Sequence, residues 1–318
     1  MTGYIIRRLV LVVPVMLVVG TVTFLLVHLT PGDPAAVMLG PEATPDQVAQ
    51  LRDELGFDEP LLVQYPRWLG RLVQLDLGHS IFLDRPVFTA IVERAVPTLQ
   101  LATYALVIAI LIGVPAGVLA VLHRDTLLDR ALLVLALTGT AIADFFLGML
   151  LILLFAVVLQ WFPSGGYVPF TADPIGHVQA MFLPSLALGV SVAGLPARLI
   201  RTSMLDVIQE DFVKVAVARG LSPWMVTTRH VLRNALIPAI TVFGYTLGDL
   251  IGGAVVVETV FSLPGMGQLV VNSIARRDFP VIQGVVMVIA IGYLLANLLV
   301  DVLYVAADPR VRVDRVSR

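Results

Sequence analysis

The sequence predicts an all-α integral membrane protein with six transmembrane helices, both termini cytoplasmic, and a small extracytoplasmic cap between the first two helices. Three observations predict it. Hydrophobic residues make up 58% of the 318 and charged residues only 14%, where a soluble domain carries about 25% charged residues. The shortage is concentrated in windows of about 20 residues, the length that crosses a bilayer. Lys and Arg also collect on one side of those windows. Net charge is −2, so no basic field argues for nucleic acid. With no cysteine, disulfides, thiolate metal sites and a cysteine nucleophile are excluded.

In chain order, residues 1–29 are a short head with Arg7 and Arg8 followed by the first span, uncharged from 9 to 29 and broken only by Pro14. A signal peptide begins the same way, but its apolar stretch is about 7–15 residues and ends in a small-residue cleavage site. This run is longer and is followed by Thr30-Pro31-Gly32-Asp33-Pro34, so a retained span is expected. Residues 30–96 are polar, acidic and proline-punctuated, and form the cap. A surface helix is expected over 46–55 after Thr44-Pro45. A second is expected over 60–73, with Tyr65 and Trp68 suited to the membrane interface.

Residues 97–306 hold five further spans near 98–122, 127–159, 181–200, 236–257 and 281–305, with a polar loop at 201–235. Residues 307–318 form a cytoplasmic tail. Gly113, Pro115 and Gly117 interrupt the second span, which membrane helices tolerate because neighbouring helices satisfy the freed backbone groups. A cytoplasmic amino terminus places Arg7, Arg8, Arg124, Arg130, Arg198, Arg201, Lys214, Arg219, Arg229, Arg233 and the tail arginines inside. Outside the long cap, only Arg276 and Arg277 then face out.

The loop and its continuation to Pro238 read as two short helices. Gly220 can take the left-handed conformation that closes the first. Ser222 can cap the second, with Pro223 at its first position. In the second helix Trp224, Thr228, Val231, Leu232 and Ala235 fall on one side at helical spacing, and Arg229, His230, Arg233 and Asn234 on the other, with Val226 an exception. The chain's single lysine, Lys214, lies between Val213 and Val215, so a phosphate-cradling Gly-Lys-Ser/Thr loop is absent. If ATP drives this protein, another polypeptide binds it. If an ion gradient drives it, the spans should carry ionisable groups. Asp144 and Asp249 lie mid-span and read either as a polar translocation path, with Tyr245 nearby, or as acids hydrogen-bonded between helices. Asp301 reads as a structural end-of-helix acid and His28 as an interface residue. Ser262 to Gly267 reads as a tight, partly re-entrant turn or as an ordinary connector.

Several blocks in order carry a family resemblance: FLLVHLTPGDP (24–34), LGFDEPLLVQYPRWLGRLVQLDLGHS (55–80), ARGLSPWMVTTRHVLRNALIP (218–238), ETVFSLPGMGQLVVNSIARRDFPV (258–281) and DVLYVAADPRVR (301–312). The chain resembles inner-membrane permease subunits of dipeptide, oligopeptide and nickel ABC importers from its first span to about Arg312. The resemblance implies a type I ABC importer permease architecture in a prokaryotic inner membrane, and no enzyme activity in this chain. It also implies a homologous second permease as heterodimeric partner, two ATPase subunits that bind ATP and Mg, and an extracytoplasmic solute-binding protein. No cofactor is expected in this chain.

The same resemblance makes 201–235 a coupling loop. It implies ATPase-coupling roles for Asp211, Ala216, Ala218, Arg219, Gly220, Leu221, Ser222, Pro223, Arg229 and His230. It implies binding-protein contacts for Glu258, Pro264, Gly265, Arg276 and Arg277. The wider transporter pattern of Glu-Ala-Ala, three residues, then Gly is met at Gly220, whereas Lys214-Val215-Ala216 stands in place of Glu-Ala-Ala. The alternatives fare worse. A secondary transporter usually shows repeats within one chain, and none is evident. A DNA-binding helix-turn-helix would not run directly into a span. The motifs His-Glu-x-x-His and Gly-x-Ser-x-Gly of hydrolases do not occur.

Overall fold

A computed structural model describes residues 2–29, 32–40 and 43–307. All of the expected tail after Ala307 lies outside the described residues, as does the side chain of Asp301. Five described helices are long and apolar enough to cross a membrane, and a sixth crossing is made if one sharply bent pair counts as a single span. The chain forms two compact units, residues Met1–Thr98 with Pro264–Leu294, and Leu99–Leu263 with Leu295–Arg318.

In the first unit, α1 (Thr2–Leu29) is the first span. The cap is helical where proline and capping residues predict it. Asp33 accepts from the Ala35 N–H at the start of α2 (Pro34–Leu39). Thr44 and Gln47 form a reciprocal capping box at the start of α3 (Pro45–Leu55). An ion pair from Arg52 to Asp33 ties α3 back to α2. In α4 (Leu61–Val73), Tyr65 and Trp68 bind the helices beside them. Tyr65 Oη lies 2.7 Å from Thr21 Oγ1 of α1. Gln64 Oε1 lies 3.0 Å from His28 Nε2, and Trp68 donates to Gln283 at 3.1 Å. A two-residue hairpin of β1 (His79–Ser80) and β2 (Arg85–Pro86) follows.

The second-span helix α5 (Val87–Leu122) begins well before residue 97, because the chain passes through Pro97 without ending the helix. Its first turns, Val87 and Ile91, form a core with Met266 and Leu269 of α12 (Met266–Arg276) and with Val281 and Val285 of α13 (Phe279–Ala307). The Thr98 hydroxyl accepts the Met266 N–H at 2.8 Å, satisfying an orphan donor of α12.

The second unit is built on α8 (Pro174–Ile208), opened by Asp173 and Pro174. It extends beyond the expected 181–200 at both ends. Small residues bring its neighbours close, as in membrane helix packing. A Cβ at Gly117 of α5 would lie 2.8 Å from the Ala197 carbonyl oxygen, and one at Gly194 would strike the Ala136 carbonyl of α6 (Leu127–Ala141). The apolar core joins Leu101 and Ala105 of α5, Leu183 and Leu188 of α8, and Leu250 and Phe261.

The third span is not one helix. After α6 the chain is extended at Ile142 and Ala143 and turns by 101° into α7 (Asp144–Leu151), which continues as a π-helical segment over Ile152–Val158. Asp144 opens the second arm and accepts from the Phe145 N–H at 2.7 Å. A carboxylate there faces the unsatisfied N–H groups and positive end of a helix. With neither Gly nor Pro at the break, the sequence carried no ordinary breaker. The loop after this span is tied down: His177, fully buried, sits 2.7 Å from the Val168 carbonyl, and Tyr167 donates to Gln100 at 3.0 Å. Burial pushes the Tyr167 hydroxyl above its ordinary range.

Candidate functional site

The polar hairpin that follows α8 forms for the local reasons its sequence supplies. It comprises α9 (Asp211–Ala218), a turn, α10 (Pro223–Met225), a π-helical turn over Val226–Val231, and then α11 (Leu232–Val260) without interruption. Gly220 sits at φ +79°, the left-handed conformation that ends α9, and its N–H donates to the Val217 carbonyl at 2.9 Å. The Ser222 hydroxyl accepts from the Met225 N–H at 3.3 Å, capping the second helix as expected.

The hairpin is anchored by an apolar face. Val213 and Ala216 of α9, with Val226, Val231, Ala235 and Ala239, pack on Ile200 and Met204 of α8 and on Val118 and Val121 of α5. Burying each large aliphatic side chain contributes about 1.5–3 kcal/mol, so the hairpin is fastened to the ends of two spans. Its other face is open. Asp211, Ala218, Arg219, Gly220, Ser222 and Arg229 are exposed, Leu221 and His230 half-buried. Pro223 starts the helix, and its side chain lies outside the described residues. Beside them lie the exposed apolar side chains of Phe212, Val215, Val217, Trp224 and Met225.

Two sequence expectations are corrected here. Trp224 faces outward and Val226 inward, the reverse of the α-helical reading. In a π-helical turn each N–H reaches the carbonyl five residues back, so Val226 and Val231 share the buried side. Ala216, expected as a coupling contact, is 7% exposed and belongs to the hairpin's own core.

On α11, Tyr245 and Asp249 are one helical turn apart and both exposed, with Gly252 and Gly253 following in open space. The helix packs against α7, the arm that Asp144 opens, and Asp144 is half-buried. The structure thus puts the three expected path residues on two packed helices. The expected binding-protein contacts divide. Arg276 and Arg277 are exposed, Arg276 lying over the Phe82 ring at 5.8 Å. Pro264 is half-buried and Gly265 buried. Glu258 is a correction: it lies inside the last turns of α11 and is fully buried, so its side chain does not reach a docking protein. The turn after α11 closes through the Leu263 N–H on the Glu258 carbonyl at 2.8 Å, with Ser262 at φ +53°.

One pairing escaped the sequence reading. Asp129, in the first turn of α6, takes a two-bond fork from Arg201 of α8, Nε to Oδ1 at 2.8 Å and a terminal nitrogen to Oδ2 at 2.7 Å. The Thr126-x-x-Asp129 capping spacing was the available signal for Asp129, while nothing local pointed to Arg201.

Long apolar helices, one broken in mid-course, with a polar hairpin fastened across the ends of two of them, define a multi-pass membrane protein. The chain belongs to the family described as "binding-protein-dependent transport system inner membrane component", whose model matches residues 109–313. The companion model for the amino-terminal part of such membrane components matches residues 1–102. A Brucella abortus (strain 2308) protein named as a peptide transport system permease is 44% identical over 314 residues, covering 99% of this chain and 100% of that one. The glutathione transport system permease protein GsiC of Salmonella paratyphi A is 43% identical over 312 residues, covering 98% of this chain and 99% of that one. A chain from inward-facing structures of the MetNI methionine ABC transporter shares the fold, with a TM-score of 0.55 at 20% identity over 69% of this chain and 96% of that chain. This protein is an ABC importer permease subunit of the inner membrane.

Proposed function

We propose that the chain forms half of a peptide-import pathway, paired with a homologous permease and coupled through the 210–238 hairpin to separate ATPase subunits. The observation that carries this is the hairpin's two-faced construction. One face is buried on α5 and α8, and the other presents Gly220, Arg219 and Ser222 among exposed apolar side chains. Several exposed apolar side chains on one short polar hairpin suit a protein docking surface. The ATPases would hold ATP and Mg, and this chain no cofactor.

Closure of two ATPases on ATP would displace the docked hairpins. Because each is fastened to α5 and α8, that displacement biases the spans between two packings. Tyr245, Asp249 and Asp144 would then line the route of the solute, with the carboxylates favouring its cationic groups. On the outer side, Pro264, Gly265, Arg276 and Arg277 would meet the solute-binding protein, Gly265 through its backbone. The names of the relatives favour a peptide or a glutathione-like solute.

The test is reconstitution of the chain in proteoliposomes with the neighbouring permease, the ATPases and the binding protein. ATP-dependent peptide uptake that needs all the components is expected. Uptake by this chain alone under a proton or sodium gradient would show a secondary transporter instead.

A further inference from the structure

Asp129 is only 3% exposed, and the Arg201 side chain is 21% exposed. Burying an ion pair is costly unless its geometry is excellent and its remaining lone pairs are satisfied. Here the pair is a two-bond fork, and one carboxylate oxygen has a second donor. Oδ1 and Oδ2 each take one bond of the guanidinium fork, and Oδ2 also accepts the Asp125 N–H at 3.2 Å. Asp129's own N–H donates to Thr126 Oγ1 at 3.4 Å.

The position of the pair is informative. Arg201 follows Ile200 and precedes Met204 by less than a turn, and these two side chains are where the hairpin is seated on α8. Asp129 lies in the first turn of α6, whose far end is the break at Ile142 and Ala143 before Asp144. Helices in apolar contact can slide, whereas a planar two-bond fork fixes one register.

We propose that Asp129 and Arg201 are positioning residues for transport, a rigid link that carries hairpin displacement from α8 into the third span and so to the break beside Asp144. This rests on the reading of the hairpin as the ATPase-docking element.

The test uses the complete reconstituted complex and reads peptide taken up per ATP hydrolysed, with co-purification of the ATPases as a check on assembly. Asp129→Asn and Arg201→Lys each remove the fork while keeping a polar side chain. Assembly and hydrolysis are expected to persist, and uptake per ATP to fall about ten-fold, within the range typical of coupling between sites. Replacing a buried pair by apolar residues is often neutral or stabilising, so the double variant Asp129→Leu with Arg201→Met is expected to assemble and to remain uncoupled. Wild-type uptake per ATP in Asp129→Asn, or its restoration in the apolar double variant, overturns the proposal and leaves the pair a static staple. If Asp129→Asn fails to assemble, the double variant decides alone. An unmodified complex from which the ATPases do not co-purify contradicts the underlying reading of the hairpin, not the link.

Discussion

Replacing Gly220 separates the strain of the turn from the docking it is proposed to serve. At φ +79° with no heavy atom within 4 Å of an added Cβ, the position has open space for the first atom of a side chain within this subunit. The intrinsic cost of a non-glycine residue is therefore confined to the backbone, about 1–2 kcal/mol for a left-handed residue and less for Asn, which visits this region more readily. Burial of Val213, Val226, Val231, Ile200 and Met204, at about 1.5–3 kcal/mol each, exceeds that strain several-fold, so the hairpin keeps its shape. Gly220→Asn and Gly220→Leu should thus fold and insert normally. In a packed interface, however, the new side chain costs about 1–3 kcal/mol, or roughly five- to 150-fold in affinity. The assay is co-purification of the ATPases with the permease, with uptake per ATP measured on the same preparation. Retention of the ATPases should fall in both variants, more for Leu. Normal assembly and uptake with Gly220→Leu would refute the docking of this turn.

Further outcomes follow from other contacts. Met204→Ala, at the seat of the hairpin, should destabilise the subunit by about 2–5 kcal/mol, seen as a lower thermal unfolding midpoint in detergent, whereas Trp224→Ser on the open face should leave the midpoint unchanged and weaken ATPase retention. Gly194→Val should force α6 and α8 apart, since even a Cβ strikes the Ala136 carbonyl, and lower the same midpoint through an overpacking cost of about 1–3 kcal/mol. Asp249→Asn, on the exposed side of α11, should reduce uptake of cationic peptides relative to neutral ones without altering stability, measured by competition between labelled peptides. Equal loss for both classes would remove Asp249 from the path.

Much of the fold is legible in the residues because local rules and bilayer length agree. Thr44, Gln47, Asp33, Gly220 and Ser222 act as the caps and turns their types predict. The span limits were less legible where the chain ignores a breaker or breaks without one. Helix α5 passes through Pro97, and the 101° bend at Ile142 and Ala143 contains neither Gly nor Pro. There the deciding information is tertiary. In the candidate site, Trp224 and Val226 exchanged faces because a π-helical turn changes the period that an amphipathic reading assumes. Glu258 looked like a loop acid, but α11 continues past it and buries it. The Asp129–Arg201 fork joins residues far apart in sequence, and no pattern within a single helix announces it.

The most direct measurement of the hairpin's role is site-specific crosslinking in the assembled complex, which the cysteine-free chain makes clean. A single cysteine introduced by Ser222→Cys, carrying a photoreactive group, should form an adduct with an ATPase subunit, and a control from Ala235→Cys on the buried face should form none. Adducts from position 222 with lipid alone, or equal ATPase adducts from both positions, would contradict the docking of this hairpin on a separate motor.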